Sequence, residues 1–188
     1  MNNSKLVTLA EGALTVALSI ALSYLKIPIG FAFGGFGGSV DLVMIPIIVY
    51  AIRRGGLCGM GAGLLFGTLK FFLAGGVAVN WQSMLLDYSL AYMMVGVAGF
   101  ISRAKYSIPF SALAAFAGCV GRFIIHYISG VTIYAEYMPE KFFNMTMTTP
   151  AFYSLLYNGS YMVPNTLLAI IICTLITVPI NKAVKIKQ

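Results

Sequence analysis

From Ser83 to Phe100 the chain runs SMLLDYSLAYMMVGVAGF, eighteen residues with one charged side chain, Asp87. A helix needs roughly 20 such residues to cross the hydrocarbon core of a bilayer. Runs of this kind recur along the sequence, and little charge separates them. Hydrophobic residues fill 60% of the 188 positions and charged residues 9%, against about 25% charged in a soluble domain. So few charges cannot cover a water-facing surface. In lipid the backbone must satisfy its own polar groups, which leaves helices or closed barrels. A barrel would alternate apolar and polar residues over segments of about 10, and no segment here does. The fold predicted is an all-α integral membrane bundle, a single membrane domain over residues 1–188.

Six spans are expected, at about 7–25, 40–52, 56–73, 83–101, 108–134 and 155–180. Pro46 should kink the short second span, and Pro164 and Pro179 should kink and then help to end the last. A Gly- and Phe-rich loop, KIPIGFAFGGFGGSV, joins the first two spans, and AEYMPEKFFNMTMTTPAF joins the last two. The second loop is long for a compact domain and reads as a lid.

With six spans both termini share a side with the loops after the second and fourth. That side carries Lys5, Arg53, Arg54, Arg103, Lys105, Lys182, Lys185 and Lys187; the other has Lys26 and Lys141, with Lys70 inside the end of the third span. Positive residues favour the cytoplasm, so both termini are expected there. The same distribution accounts for the net charge of +7 and argues against nucleic-acid binding. Cys58, Cys119 and Cys173 are far apart in apolar runs and form no CxxC pair. GGFGG lacks the GK[ST] ending of a phosphate loop, so this chain cannot by itself draw energy from ATP; a mobile flap suits those glycines better.

Under that topology polar residues from distant segments fall in the outer half of the membrane: Asp41, Asp87, Arg122, His126 and Asn158, with Tyr153 beside the last. A charge at the centre of a membrane helix costs about 2.5–3.5 kcal/mol, so these groups must meet one another, water or a ligand. Arg122 and His126 stand four apart on one helix face. Each residue also has a structural reading. Asp87 fits a packing ion pair with Arg122, Asp41 a helix cap, His126 a hydrogen-bonded core residue, and Asn158 with Gly159 local punctuation. Phe66, Trp81, Tyr88 and Tyr134 fit an interfacial belt. Their joint occurrence at one depth favours a cavity. Two carboxylates with aromatic walls suit a cation or an amine-bearing heteroaromatic ring. A lone His with scattered aspartates makes a poor metal site, and no nucleophile–base pair stands beside His126, so neither a metal nor an enzyme is expected.

At LLDYSLAYMMVGVAGF, RFIIHYISGV and AFYSLLYNG the chain resembles the thiamine-specific substrate-binding subunits (S components) of energy-coupling factor vitamin transporters. The resemblance implies a six-helix bundle in a prokaryotic cell membrane with an outward pocket for thiamine or a close relative, and no cofactor. It assigns ligand contact to Asp87, Tyr88, Arg122, His126, Tyr153, Asn158 and Asp41, and places Phe66 and Tyr134 where the family has pocket tryptophans. Trp81 is counted with these aromatics. The family carries glutamates where Asp41 and Asp87 stand, and a large aromatic near Gly37. Ala13, Ala17 and Ala21, spaced by four, let helices approach closely. The resemblance makes them the docking stripe for a transmembrane coupling subunit driven by two ATPase subunits; internal packing is the alternative. A stand-alone proton-coupled carrier using His126 and Asp87 also remains open, although no internal repeat is visible.

Overall fold

In the computed structural model the described residues are 3–29, 37–101 and 107–185. They form a helical bundle: α1 Asn3–Leu22, α2 Met44–Arg54, α3 Gly56–Leu73, a broken helix over Trp81–Ile101, α7 Ile108–Thr132 and α8 Pro150–Lys185. The broken helix divides into α4 (Trp81–Met84), a π-helical turn (Leu85–Leu90), α5 (Ala91–Val95) and α6 (Ala98–Ile101). Two short antiparallel hairpins cover the loops, β1 (Ile27–Pro28) with β2 (Ser39–Val40) and β3 (Lys141–Phe142) with β4 (Met145–Thr146). Among the described residues five helices are long and apolar enough to cross a membrane. This is an all-α, multi-pass membrane protein.

The remaining helix, α2, has eleven residues and sits at the centre. Met44, Ile45, Ile47, Ile48, Tyr50, Ala51 and Ile52 are buried, against α1, α3, α6, α7 and α8. A helix apolar on every side belongs inside a bundle. Its basic end is held from α1: Glu11 accepts from Arg54 Nε and Nη2 at 2.8 and 2.7 Å and from Arg53 at 3.1 Å. The outward face of α1 carries Leu6, Leu14 and Leu18, and Ala13, Ala17 and Ala21 are also exposed.

Three expectations about prolines and boundaries need correction. Because α2 begins at Met44 rather than 40, Pro46 lies in the first turn, where its missing N–H has no intrahelical partner to lose. No interior kink is required. The last helix starts at Pro150, not 155, with Thr149 Oγ1 accepting from Phe152 N–H at 3.1 Å as a cap. It then continues through both Pro164 and Pro179 to Lys185, so Pro179 does not end it. In the 135–152 loop, Phe143 and Asn144 take positive φ of 50° and 61° at the turn of the β3–β4 hairpin. Phe142 tucks under it against Tyr153 and Tyr157. Of the Gly-rich flap, residues 30–36 lie outside the described residues, as do Arg103, Lys105 and Lys187.

Candidate functional site

The sites of interest gather at one end of the bundle, where α1, α3 and α7 finish and the broken helix and α8 begin. Asp87 lies in the π-helical turn. Its two oxygens face α7: His126 Nδ1 is 3.0 Å from Oδ1, and Ser129 Oγ donates to Oδ2 at 2.9 Å. Arg122 Nε donates to His126 Nε2 at 3.2 Å. A guanidinium can only donate, so Nε2 must be the bare nitrogen and the imidazole proton sits on Nδ1, pointing at Asp87. Arg122, His126 and Ser129 stand at i, i+4 and i+7, one stripe of α7.

The stripe continues across to α3. The Arg122 guanidinium lies 4.3 Å from the Tyr92 ring centroid, and Lys70 Nζ donates to Tyr92 Oη at 2.6 Å. Lys70 also stands 3.5 Å from Asp41 Oδ2. From α8, Asn158 Nδ2 donates to the carbonyl of His126 at 3.3 Å and to that of Ser154 at 2.9 Å, while its Oδ1 accepts from Tyr161. Side chains from α3, the broken helix, α7 and α8 therefore wall one cavity of about 140 Å³. Arg122 Nη1 is sealed from the cavity and has no hydrogen-bond partner among the described residues.

Of the residues expected in a ligand site, Asp87, Tyr88, Arg122, His126, Tyr134, Tyr153 and Asn158 line this cavity. Three do not. Trp81 is 66% exposed at the start of α4, the setting of an interfacial aromatic. Phe66 is wholly buried behind the wall, edge-on to Tyr92 with centroids 4.7 Å apart. Asp41 is buried too, and its carboxylate is consumed by Ser39 Oγ (2.9 Å), Val43 N–H (3.3 Å) and Lys70. The expected pair of wall carboxylates thus reduces to Asp87, and the second serves to neutralise a lysine.

Sequence reasoning missed Lys26, Lys70, Tyr92, Tyr157 and Tyr161, which also line the cavity. A signal was present. Tyr153, Tyr157 and Tyr161 recur every four residues, and Tyr92 follows Tyr88 by four, so each continues a face already singled out. Tyr157 does the most for the roof: its hydroxyl accepts from Gly37 N–H at 3.1 Å and donates to Gly37 O at 2.6 Å. Tyr88 ties the α3–α4 loop in the same way, accepting from Val77 N–H at 2.7 Å.

A wall of this kind can hold a flat ring that offers N–H groups to Asp87 and presents its face to tyrosines. Offset and edge-on aromatic contacts are worth about 0.5–1.5 kcal/mol each beyond area, and a cationic ring gains about 0.5–2 kcal/mol over an aromatic face.

Comparison with known proteins places this geometry in a family. Residues 9–185 match the model of the family described as thiamine transporter protein. The chain is 33% identical to the thiamine transporter ThiT of Bacillus subtilis, across 93% of each chain. It is 30% identical to the thiamine transporter ThiT of Lacticaseibacillus paracasei, across 90% of this chain and 86% of that one. The solved structure of ThiT from Listeria monocytogenes superposes with a TM-score of 0.80 at 27% identity, covering 93% and 95% of the two chains. A membrane bundle with a polar, tyrosine-walled cavity at one end, matched over nearly its whole length, belongs to the thiamine transporter protein family.

Proposed function

We propose that this protein is the substrate-binding S component of an energy-coupling factor transporter and that it captures thiamine. The observation that carries the reading is a cavity in which Asp87, His126 and Asn158, from three helices, meet under tyrosines, in a chain whose relatives are named thiamine transporters. Thiamine joins an aminopyrimidine to a permanently cationic thiazolium. Asp87 accepts from the exocyclic amine, and the rings of Tyr134, Tyr153 and Tyr157 face the cation.

The basic residues favour six spans with both termini in the cytoplasm of a prokaryotic cell, so the cavity opens outward and α2 counts as a span shielded by its neighbours. Ala13, Ala17 and Ala21, exposed on α1, form the face that meets a transmembrane coupling subunit, which two ATPase subunits drive.

The test is calorimetry on protein purified from thiamine-free cells. Thiamine should bind, and Asp87→Ala should lose at least 100-fold in affinity while circular dichroism stays unchanged. Unaltered affinity in Asp87→Ala removes that residue from the site. Retention of a different vitamin, identified by mass spectrometry, overturns the substrate. Uptake by proteoliposomes under a proton gradient, with no ATPase present, overturns the coupling.

A further inference from the structure

A π-helical turn, Leu85–Leu90, interrupts the broken helix, and it carries Asp87. The Ala91 N–H donates back to Leu86 O, five residues earlier. Such turns add a residue to a helical turn, redirect the side chains in it, and occur frequently at functional sites. A π turn is easily lost to regular helix unless something holds it, and here α3 lies directly against it. A Cβ placed on Gly67 would sit 2.1 Å from the Tyr88 carbonyl oxygen and 3.2 Å from Ser89 Cα. One turn earlier, a Cβ on Gly63 would sit 2.1 Å from the Tyr92 carbonyl oxygen. Both distances fall more than about 1 Å short of van der Waals contact. The glycine Cα–H groups occupy the space beside those carbonyls, a weak but directional contact. Beside Gly67, Thr68 Oγ1 lies 2.9 Å from Ser89 Oγ, a side-chain bond to the same turn.

We infer that Gly67 is a positioning residue for ligand recognition: its missing side chain lets α3 press on the π-helical turn and so aims the Asp87 carboxylate into the cavity. The inference rests on the functional reading above, in which Asp87 meets the ligand amine. An alanine at Gly67 must push the Tyr88 peptide away, and the peptide is covalently next to Asp87. A displacement near 1 Å exceeds the roughly 0.5 Å within which a binding constellation must be held. Gly61 supplies the matched comparison. It lies in the same helix, is exposed, and has nothing within 4 Å of the position its Cβ would take.

The experiment measures affinities of thiamine and of the analogue bearing oxygen in place of the amino group, by calorimetry in detergent. Wild type should prefer thiamine. Gly67→Ala should lose at least tenfold for thiamine and much less for the analogue, so the preference shrinks, while Gly61→Ala keeps both values within twofold. Thr68→Val, which removes the bond to Ser89 without adding bulk, should shrink the preference about threefold, and it decides the matter if Gly67→Ala fails to fold. Equal losses for the two compounds would show a merely structural glycine and overturn the inference. So would an unchanged preference in Gly67→Ala, or in Thr68→Val where Gly67→Ala does not fold, or a Gly61→Ala variant that behaves like Gly67→Ala. A wild type that binds neither compound sinks the functional reading, and this inference with it.

Discussion

Two aspartates stand at the same end of this bundle, and they are used in opposite ways. Asp41 lies in the turn before α2 with its side chain wholly buried. A hydroxyl, a backbone N–H and an ammonium engage its oxygens, and Asn165 of α8 grips the backbone on either side, accepting from Asp41 N–H and donating to Ser39 O. Asp87 also has two partners, His126 and Ser129, but its side chain keeps 16% of its surface open on the cavity. Residue type and the number of partners nearly agree between the two. What differs is exposure: Asp87 keeps open surface on the cavity and Asp41 keeps none, so only Asp87 can be reached from it.

The largest expected effect comes from Asp41→Asn. It leaves Lys70 charged in a buried site, and breaking such a pair costs about 3–5 kcal/mol. Thermal unfolding in detergent should show the loss, and Asp87→Ala should show little of it. Comparable destabilisation by the two variants would erase the distinction. Next is Phe66→Ala, which opens a cavity behind Tyr92 at a cost of about 3 kcal/mol. In protein that remains folded, thiamine affinity should fall less than tenfold, because Phe66 touches the wall and not the ligand. Tyr157→Phe removes one hydroxyl that satisfies both backbone groups of Gly37, a loss of about 1 kcal/mol. Stopped-flow fluorescence should register faster ligand release, by roughly fivefold, with little change in melting temperature. The smallest effect belongs to Trp81→Phe. Calorimetry should find its affinity within twofold of wild type, and a larger loss would return Trp81 to the site.

How much of this was legible in the sequence depends on which physical signal was read. The long spans follow from apolar run length, which is hard to mistake. Pro46 and Pro179 were misjudged because a proline's effect depends on where a helix starts and on what packs beside it, and neither is local information. Asp87, Arg122 and His126 stood out because charge inside an apolar run is costly. Tyr92, Tyr157 and Tyr161 did not, since a tyrosine in a membrane span is unremarkable until its hydroxyl is seen to find a partner. Lys70 lies inside the end of the third span, as expected, but its pairing with Asp41 depends on a contact no local pattern shows. Resemblance placed Phe66 and Tyr134 in the wall, and only Tyr134 lines it; Trp81, counted with the aromatics at one depth, also stands away from the cavity. Gly63 and Gly67 passed as ordinary span composition, because the carbonyls they accommodate lie more than twenty residues further on.

The length of α8 sets a condition on the host membrane. Its apolar stretch, Pro150–Ile176, measures about 40 Å at the usual helical rise, while a typical hydrocarbon layer is about 30 Å thick. The surplus has to be absorbed by leaning the helix or by thickening the lipid around it. Tyr153, Tyr157 and Asn158 ride on the first turns of that rod, so any change of lean carries these cavity-lining side chains with it.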